Sequence, residues 1–138
     1  MALPYMAILI ATVLQFIFGA IWYGPIFGKM WGTMHGFEKH TPEEQKEMMK
    51  GMWKLLVGQF LVTIVTSTVF AILLTGFPTD WNIYGLAGFF WLGFVVPTQV
   101  SAILFGGTEP KWIVTKFGIM AVGSLGCLMI LAAVMSMF

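Results

Sequence analysis

Few side chains in this sequence are suited to catalysis. The chain has no Arg, one Asp (Asp80), one Cys (Cys127) and two His, so converging nucleophiles, bases and metal ligands are scarce. Asp80 suits the N-cap of a helix, and Cys127 falls in an apolar run where it suits core packing. His35 and His40 are weak metal candidates, because H-x4-H in a loop matches no established ligand spacing. We therefore predict a protein that is not an enzyme and needs no cofactor or metal.

Three glutamines are more informative, because each lies in a different apolar stretch. Counted from Tyr23, Trp53 and Phe105, where the predicted apolar stretches end, Gln15, Gln59 and Gln99 lie about 12, 9 and 9 Å along their helices, at 1.5 Å per residue. We therefore expect them to share one layer. Such amides either cross-link helices, at about 0.6 to 2 kcal/mol a bond, or line a hydrated pocket or path for a small polar solute or ion. The predicted polar layer consists of Gln15, Gln59, Thr63, Gln99 and Thr115.

The composition places these amides in a membrane. The chain is 59% hydrophobic and only 9% charged, with a mean hydropathy of +0.89, whereas soluble domains contain about 25% charged residues. Seven Lys balanced by six carboxylates give no basic surface for nucleic acid. The expected surroundings are the lipid bilayer.

Four apolar stretches are long enough to cross a bilayer as helices, which need about 20 residues each. We predict an all-α, polytopic four-transmembrane-helix bundle that forms a single membrane domain, residues 1–138. Thr41-Pro42-Glu43-Glu44 predicts the start of a short amphipathic helix that leads into the second transmembrane helix, with Thr41 as N-cap and Glu44 completing a capping box. The predicted helices are 4–23, 42–75, 80–105 and 111–137.

The lysines predict the orientation. All seven fall in or beside the first and third connections, and short loops rich in Lys stay in the cytoplasm. We predict a multi-pass protein of the cell inner membrane with both termini outside and loops 24–52 and 106–111 cytoplasmic.

An aromatic run at the end of the first helix predicts a lid over the cytoplasmic end of the bundle. In this interpretation Trp22 and Tyr23 anchor in the membrane interface, and Gly24-Pro25 turns the chain so that the following aromatic side chains fold back over the helix ends. In the third helix, Pro97 predicts a kink beside Gln99. The lid residues are Trp22, Tyr23, Gly24, Pro25, Phe27, Gly28 and Trp31.

The same tryptophan opens a short internal similarity. Gly19–Gly24 and Gly88–Gly93 share G-x-x-W-x-G, in helices expected to run in the same direction. Because Trp22 is predicted at a membrane surface and Trp91 near the middle, we interpret this match as coincidence.

The run from Gly19 to Trp31, with its W-Y-G-P-I-F-G-K core, resembles the hallmark of a family of small, four-span, mostly bacterial membrane proteins that has no established function. The run from Trp91 to Thr98 resembles that family's second signature, and the resemblance spans essentially the whole chain. The family tends to place an acidic residue directly after the Phe that corresponds to Phe105, whereas this chain continues Gly106-Gly107. The resemblance supports four spans and implies no activity.

The leading functional hypothesis is a non-enzymatic structural or interaction protein, either a homo-oligomer or an accessory subunit of a larger membrane complex. This hypothesis depends on three features: the chain is small, it has few residues suited to catalysis, and it has many small residues that allow close helix contacts. The alternative is a small channel or carrier for a polar solute or ion that uses the glutamine layer.

Overall fold

The computed structural model describes residues 4–76 and 80–138, and these residues form helices and turns without strands. Four helices are long and apolar enough to cross a membrane, which confirms the predicted all-helical, four-span fold. We call them spans 1 to 4. Their bounds are Tyr5–Ile26, Pro42–Gly76, Ile83–Phe105 and Pro110–Met135.

Two helix starts show how local chemistry sets the bounds. The predicted capping box opens span 2: the Glu44 amide donates to Thr41 Oγ1 at 3.2 Å, and the Thr41 amide donates to Glu44 Oε2 at 2.9 Å. A turn at Gly51 separates this amphipathic helix, Pro42–Lys50, from the apolar Met52–Gly76.

The prediction that Asp80 caps span 3 is wrong. Asn82 is the N-cap, with Oδ1 accepting from the Gly85 amide at 2.7 Å. The capping residue must directly precede the first helical residue, and the helix starts at Ile83. The turn expected between Gly76 and Trp81 includes residues 77–79, which lie outside the described residues.

Two π-helical turns widen the spans in the same way. Span 1 contains one at Trp22–Ile26, closed by a 3.0 Å bond from the Phe27 amide to the Trp22 carbonyl. Span 3 contains the other at Trp91–Val95, directly before Pro97. A proline inside a helix lacks an amide hydrogen and clashes with the carbonyl four residues back, so a wider turn at or before it relieves both problems. Gly24-Pro25 therefore continues span 1 to Ile26 instead of turning the chain at residue 24.

The bundle is packed unevenly along its length. Span 1 lies against spans 4 and 2, span 3 packs along span 4, and spans 2 and 3 meet through Ile83–Phe90. The buried core lies in the half of the bundle that carries both chain ends, called here the terminal end, where Ala7, Ala71, Ala87 and Ala132 are completely buried. Small side chains let the helix backbones approach closely there. All seven lysines lie toward the opposite end, called here the lysine end, and a partly open cavity lies between the helices in that half.

Candidate functional site: a polar cavity inside the bundle

All four spans contribute to one cavity of about 250 Å³. It runs from Tyr23, toward the lysine end, to Phe70 and Leu128 at the edge of the dry core. Four members of the predicted polar layer line it: Gln15, Gln59, Thr63 and Gln99. Thr115, the fifth member, is half-buried in span 4 and lies outside the lining. The residues that the structure describes along this wall include no Asp, Glu, Lys, Arg or His. The cavity therefore carries polar groups but no formal charge.

Gln15 joins spans 1 and 2 at the deep end of the cavity. Its side chain is 4% exposed, and Nε2 donates to the Ala11 carbonyl at 3.1 Å and to Ser67 Oγ at 2.8 Å. Sequence reasoning missed Ser67. Its signal was the run Thr66-Ser67-Thr68, three consecutive hydroxyls in a lipid-embedded helix, of which Thr66 lines the cavity and Ser67 is buried.

Gln59 lies on the edge of the cavity. Its side chain is exposed at the surface of the bundle, and Nε2 donates to Thr63 Oγ1 at 3.5 Å. Thr63 is buried and donates its own hydroxyl hydrogen to the Gln59 carbonyl at 2.8 Å. The exposure of Gln59 shows that the cavity is not sealed on the side of span 2.

Gln99 connects span 3 to span 4. Its Nε2 donates to the Met120 carbonyl at 3.4 Å, and its Oε1 is buried without a hydrogen-bond partner among the described residues. A buried amide oxygen without a partner costs free energy, about 1 to 3 kcal/mol in protein interiors. The Gln99 oxygen is therefore an unpaired acceptor that is itself buried in the wall.

The three amides are staggered instead of forming the single layer that we expected. Gln15 bonds at the level of Ser67, and Gln59 bonds at the level of Thr63, one helical turn or about 6 Å closer to the lysine end. Gln99 bonds to the Met120 carbonyl, which is next to the Ile119 carbonyl that binds Trp22. Trp22 lies two helical turns, or about 10 Å, along span 1 from Gln15. The Gln99 amide is therefore about 10 Å closer to the lysine end than the Gln15 amide. The expectation of a single layer assumed that span 1 ends at Tyr23, whereas the π turn carries it further.

Trp22 holds span 1 against span 4 beside the cavity. Its indole Nε1 donates to the Ile119 carbonyl at 2.9 Å, so the ring lies between spans 1 and 4. Gly123 and Gly126 of span 4 leave space for the side chains of Trp22 and Phe18 of span 1. A Cβ on Gly123 would lie 2.7 Å from Trp22 Nε1, and a Cβ on Gly126 would lie 2.6 Å from Phe18 Cζ. Only hydrogen fits at these two positions.

Trp91 anchors span 3 to span 4 in the same way, and this corrects our interpretation of the repeat. Its Nε1 donates to the Ala121 carbonyl at 2.9 Å and to Ser124 Oγ at 3.0 Å. The carbonyls that receive Trp22 and Trp91 are two residues apart, about 3 Å along the helix axis. The depths therefore agree, and each tryptophan opens a π turn. The shared G-x-x-W-x-G marks two equivalent attachments to span 4.

The aromatic run after span 1 packs beside the lysine end of the cavity. A short helix, Gly28–Met34, follows the turn at Phe27, whose ring lies 4.8 Å from that of Trp22. The Trp31 ring lies 4.9 Å from that of Tyr23, which lines the cavity, and Lys116 Nζ lies 5.7 Å from the Trp31 ring centroid. Gly28 also approaches closely, since a Cβ there would lie 2.8 Å from the Tyr23 carbonyl oxygen.

The two histidines lie apart from the cavity lining. His35 Nδ1 contacts the Trp31 carbonyl at 2.8 Å, and His40 Nδ1 contacts Glu44 Oε2 at 3.2 Å. In residues 4–76 and 80–138, no group of three or more His, Cys, Asp and Glu comes together. Cys127, which we assigned to core packing, is half-buried in the cavity wall.

Comparison with known proteins adds a family but no activity. A family model described as "Protein of unknown function (DUF1761)" matches residues 6–136. No curated protein and no solved structure matches the chain.

Proposed function

The chain belongs to the DUF1761 family, whose function is unknown, and we propose that this member is a non-enzymatic membrane protein that binds, and carries, a small polar solute. The observation that supports this proposal is the meeting of three intramembrane glutamines from three spans at one cavity. A polar cavity within an apolar bundle is costly to maintain, so polar side chains at membrane depth indicate a ligand or a path.

The uneven packing suggests which side admits the solute. The terminal half is closed by alanines and by Phe90, Leu128 and Leu131, all of them buried, whereas the cavity reaches Tyr23 and the exposed Gln59. We infer that solutes reach the cavity from the lysine end, and that release on the other side requires the terminal half to open. The lysine bias supports a cytoplasmic lysine end in a cell inner membrane, with both termini outside.

The test is solute flux into vesicles that contain the purified protein. We expect osmotic swelling in glycerol, urea or acetamide to be faster than in protein-free vesicles. The double variant Gln59→Leu, Gln99→Leu should return swelling to the protein-free rate. Ser101→Ala is the matched control, because Ser101 is exposed on the same span as Gln99 and lies outside the cavity lining. Equal swelling of the wild type and the double variant would count against a solute path.

A second candidate is the interaction protein that the sequence suggested, either a homo-oligomer or an accessory subunit. The exposure of Gln59 favours it, because an amide on the outer surface of a span gains from a partner helix. Native mass spectrometry of gently solubilised membranes tests this role. A chain that travels only as a monomer, without other subunits, would refute it.

A further inference from the structure

The cavity has an open side between spans 2 and 3. Packing between these two spans lies toward the terminal end, through Ile83–Phe90, where the rings of Phe70 and Phe90 are 5.9 Å apart. Past this contact, span 3 goes through the π turn at Trp91–Val95, and π turns bend helices. Trp91 and Gln99 then bind span 3 to span 4 and not to span 2. A slot therefore remains between the lysine-end halves of spans 2 and 3, and Phe70 with Phe90 closes its deep end.

Exposed residues of the cavity lining mark this slot. Gln59 and Val62 line the cavity and are also exposed at the surface of the bundle, Val62 at 57%. Trp53, near the start of span 2, is the kind of residue that lies at the headgroup level, and Val62 follows about 14 Å further along the helix. The hydrocarbon core of a bilayer is about 30 Å thick, so Val62 lies near its middle. The slot therefore faces lipid tails.

A polar cavity with a side open to lipid suits a molecule that has two parts. A wholly polar solute would face hydrocarbon through the slot, where its polar groups find no hydrogen-bond partner. An alkyl chain that leaves through the slot covers this opening and buries apolar surface beside Val62 and Val95, while a polar head stays among the glutamines. The head is uncharged, because the described lining residues carry no charge to compensate an ion.

We infer that the cavity takes the uncharged polar head of a single-chain amphiphile, whose alkyl chain passes between spans 2 and 3 into the surrounding lipid. The inference rests on the proposed function, because it names the class of solute that the same cavity takes. A volume of about 250 Å³ has room for several waters of about 30 Å³ each, and so for a head the size of glycerol. The head enters from the leaflet at the lysine end, since the terminal half is packed closed.

Cys127 reports whether the cavity is occupied, because it is the only cysteine in the chain and lies in the cavity wall. The measurement is the rate at which methyl methanethiosulfonate modifies Cys127 in lipid nanodiscs, followed by intact mass. Monodecanoylglycerol has an uncharged head and a chain, glycerol has the head alone, and decyl sulfate has a chain with a charged head. In a Cys127→Ser background, Val122→Cys places the thiol on the outer surface and shows any effect of these probes on the bilayer itself.

One variant tests the slot directly. Val62→Phe fills the slot with a larger apolar side chain and leaves the three glutamines in place. Val65→Phe is the matched control, because Val65 is 63% exposed on the same span and lies outside the cavity lining. Each variant is compared with its own rate in the absence of probes, and circular dichroism checks that it is folded.

We expect monodecanoylglycerol to slow the modification of Cys127, by about twofold when half of the cavities are filled, and decyl sulfate to leave the rate unchanged. Val62→Phe should abolish the protection by monodecanoylglycerol, and Val65→Phe should retain it. The cysteine at position 122 should react at the same rate with and without the probes.

Three results overturn the inference and leave the proposed function standing. They are equal protection by decyl sulfate, protection by glycerol alone, and protection by monodecanoylglycerol that survives Val62→Phe. A dimer in native mass spectrometry that Val62→Phe dissociates also overturns it, because a second copy of the chain then covers the slot. If neither monodecanoylglycerol nor glycerol protects Cys127, or if Cys127 does not react at all, the inference and the proposed function both fail.

Discussion

The contact between Trp22 and Gly123 allows one prediction to be worked out in detail. A Cβ on Gly123 would lie 2.7 Å from Trp22 Nε1 and 3.0 Å from Cδ1, whereas ordinary contacts begin at 3.4 Å. Gly123→Ala therefore forces the indole back by the 0.7 Å difference between 3.4 and 2.7 Å. The same movement draws Nε1 away from the Ile119 carbonyl, now 2.9 Å distant.

The expected cost follows from three effects. Overpacking of a tight contact costs about 1 to 3 kcal/mol. Loss of a hydrogen bond within a membrane bundle costs about 0.6 kcal/mol, and at most about 1.7. Alanine favours a helix over glycine by about 1 kcal/mol, which offsets part of the loss. We predict a net destabilisation of about 1 to 3 kcal/mol.

Gly118→Ala is the matched control, because it lies on the same helix and a Cβ there would meet nothing within 4 Å. Only the helix-propensity gain applies, so this variant should be as stable as the wild type or more so, by up to about 1 kcal/mol. Thermal unfolding in detergent can be followed by the loss of the helical circular dichroism signal. If Gly123→Ala unfolds at or above the temperature of Gly118→Ala, the tight contact between spans 1 and 4 does not exist.

Three further predictions concern the anchors, the cap and the orientation. Trp91→Phe loses the indole hydrogen bonds to span 4 and should lower the unfolding free energy by about 0.6 to 2 kcal/mol in the same assay; an unchanged midpoint would show that the bonds contribute nothing. Thr41→Ala removes the capping box, at about 1 kcal/mol, and should speed amide hydrogen exchange over Pro42–Lys50 without moving the bundle's unfolding midpoint; unchanged exchange would refute the cap. In a Cys127→Ser background, an impermeant maleimide added to intact cells should label Ser136→Cys but not Lys46→Cys, and the reverse pattern would show that the orientation is inverted.

The fold could be predicted because hydrophobic length and capping residues act locally. In lipid every backbone group needs an internal hydrogen-bond partner, so four apolar stretches of this length must form four helices. Thr41 and Glu44 mark a helix start through contacts with each other, independently of the rest of the chain. The start of span 3 was harder, because Asp80 and Asn82 are both good caps and only the position of the first helical turn separates them.

The site was only partly predictable, because it depends on how the helices meet. The glutamines stand out in any apolar run, and together with Thr63 they make four lining polar residues that could be named from sequence. The π turn at Trp22 is a response to Pro25 inside the helix, and it moved the end of span 1 from which the depth of Gln15 was counted. Ser67 is one hydroxyl among three neighbours, and pairing with Gln15 across the bundle singles it out.

Cys127 also gives the most direct test of the central claim, that a polar cavity open to water lies within the bundle. The measurement compares the rate of modification by methyl methanethiosulfonate at Cys127 with the rate at Val122→Cys in a Cys127→Ser background. Val122 is exposed on the outer surface of the same span. A cysteine at position 122 would face lipid, whereas Cys127 lies in the cavity wall, so the account predicts that the reagent modifies Cys127 faster than a cysteine at position 122. Equal rates, or an inert Cys127 beside a reactive cysteine at position 122, would contradict the account.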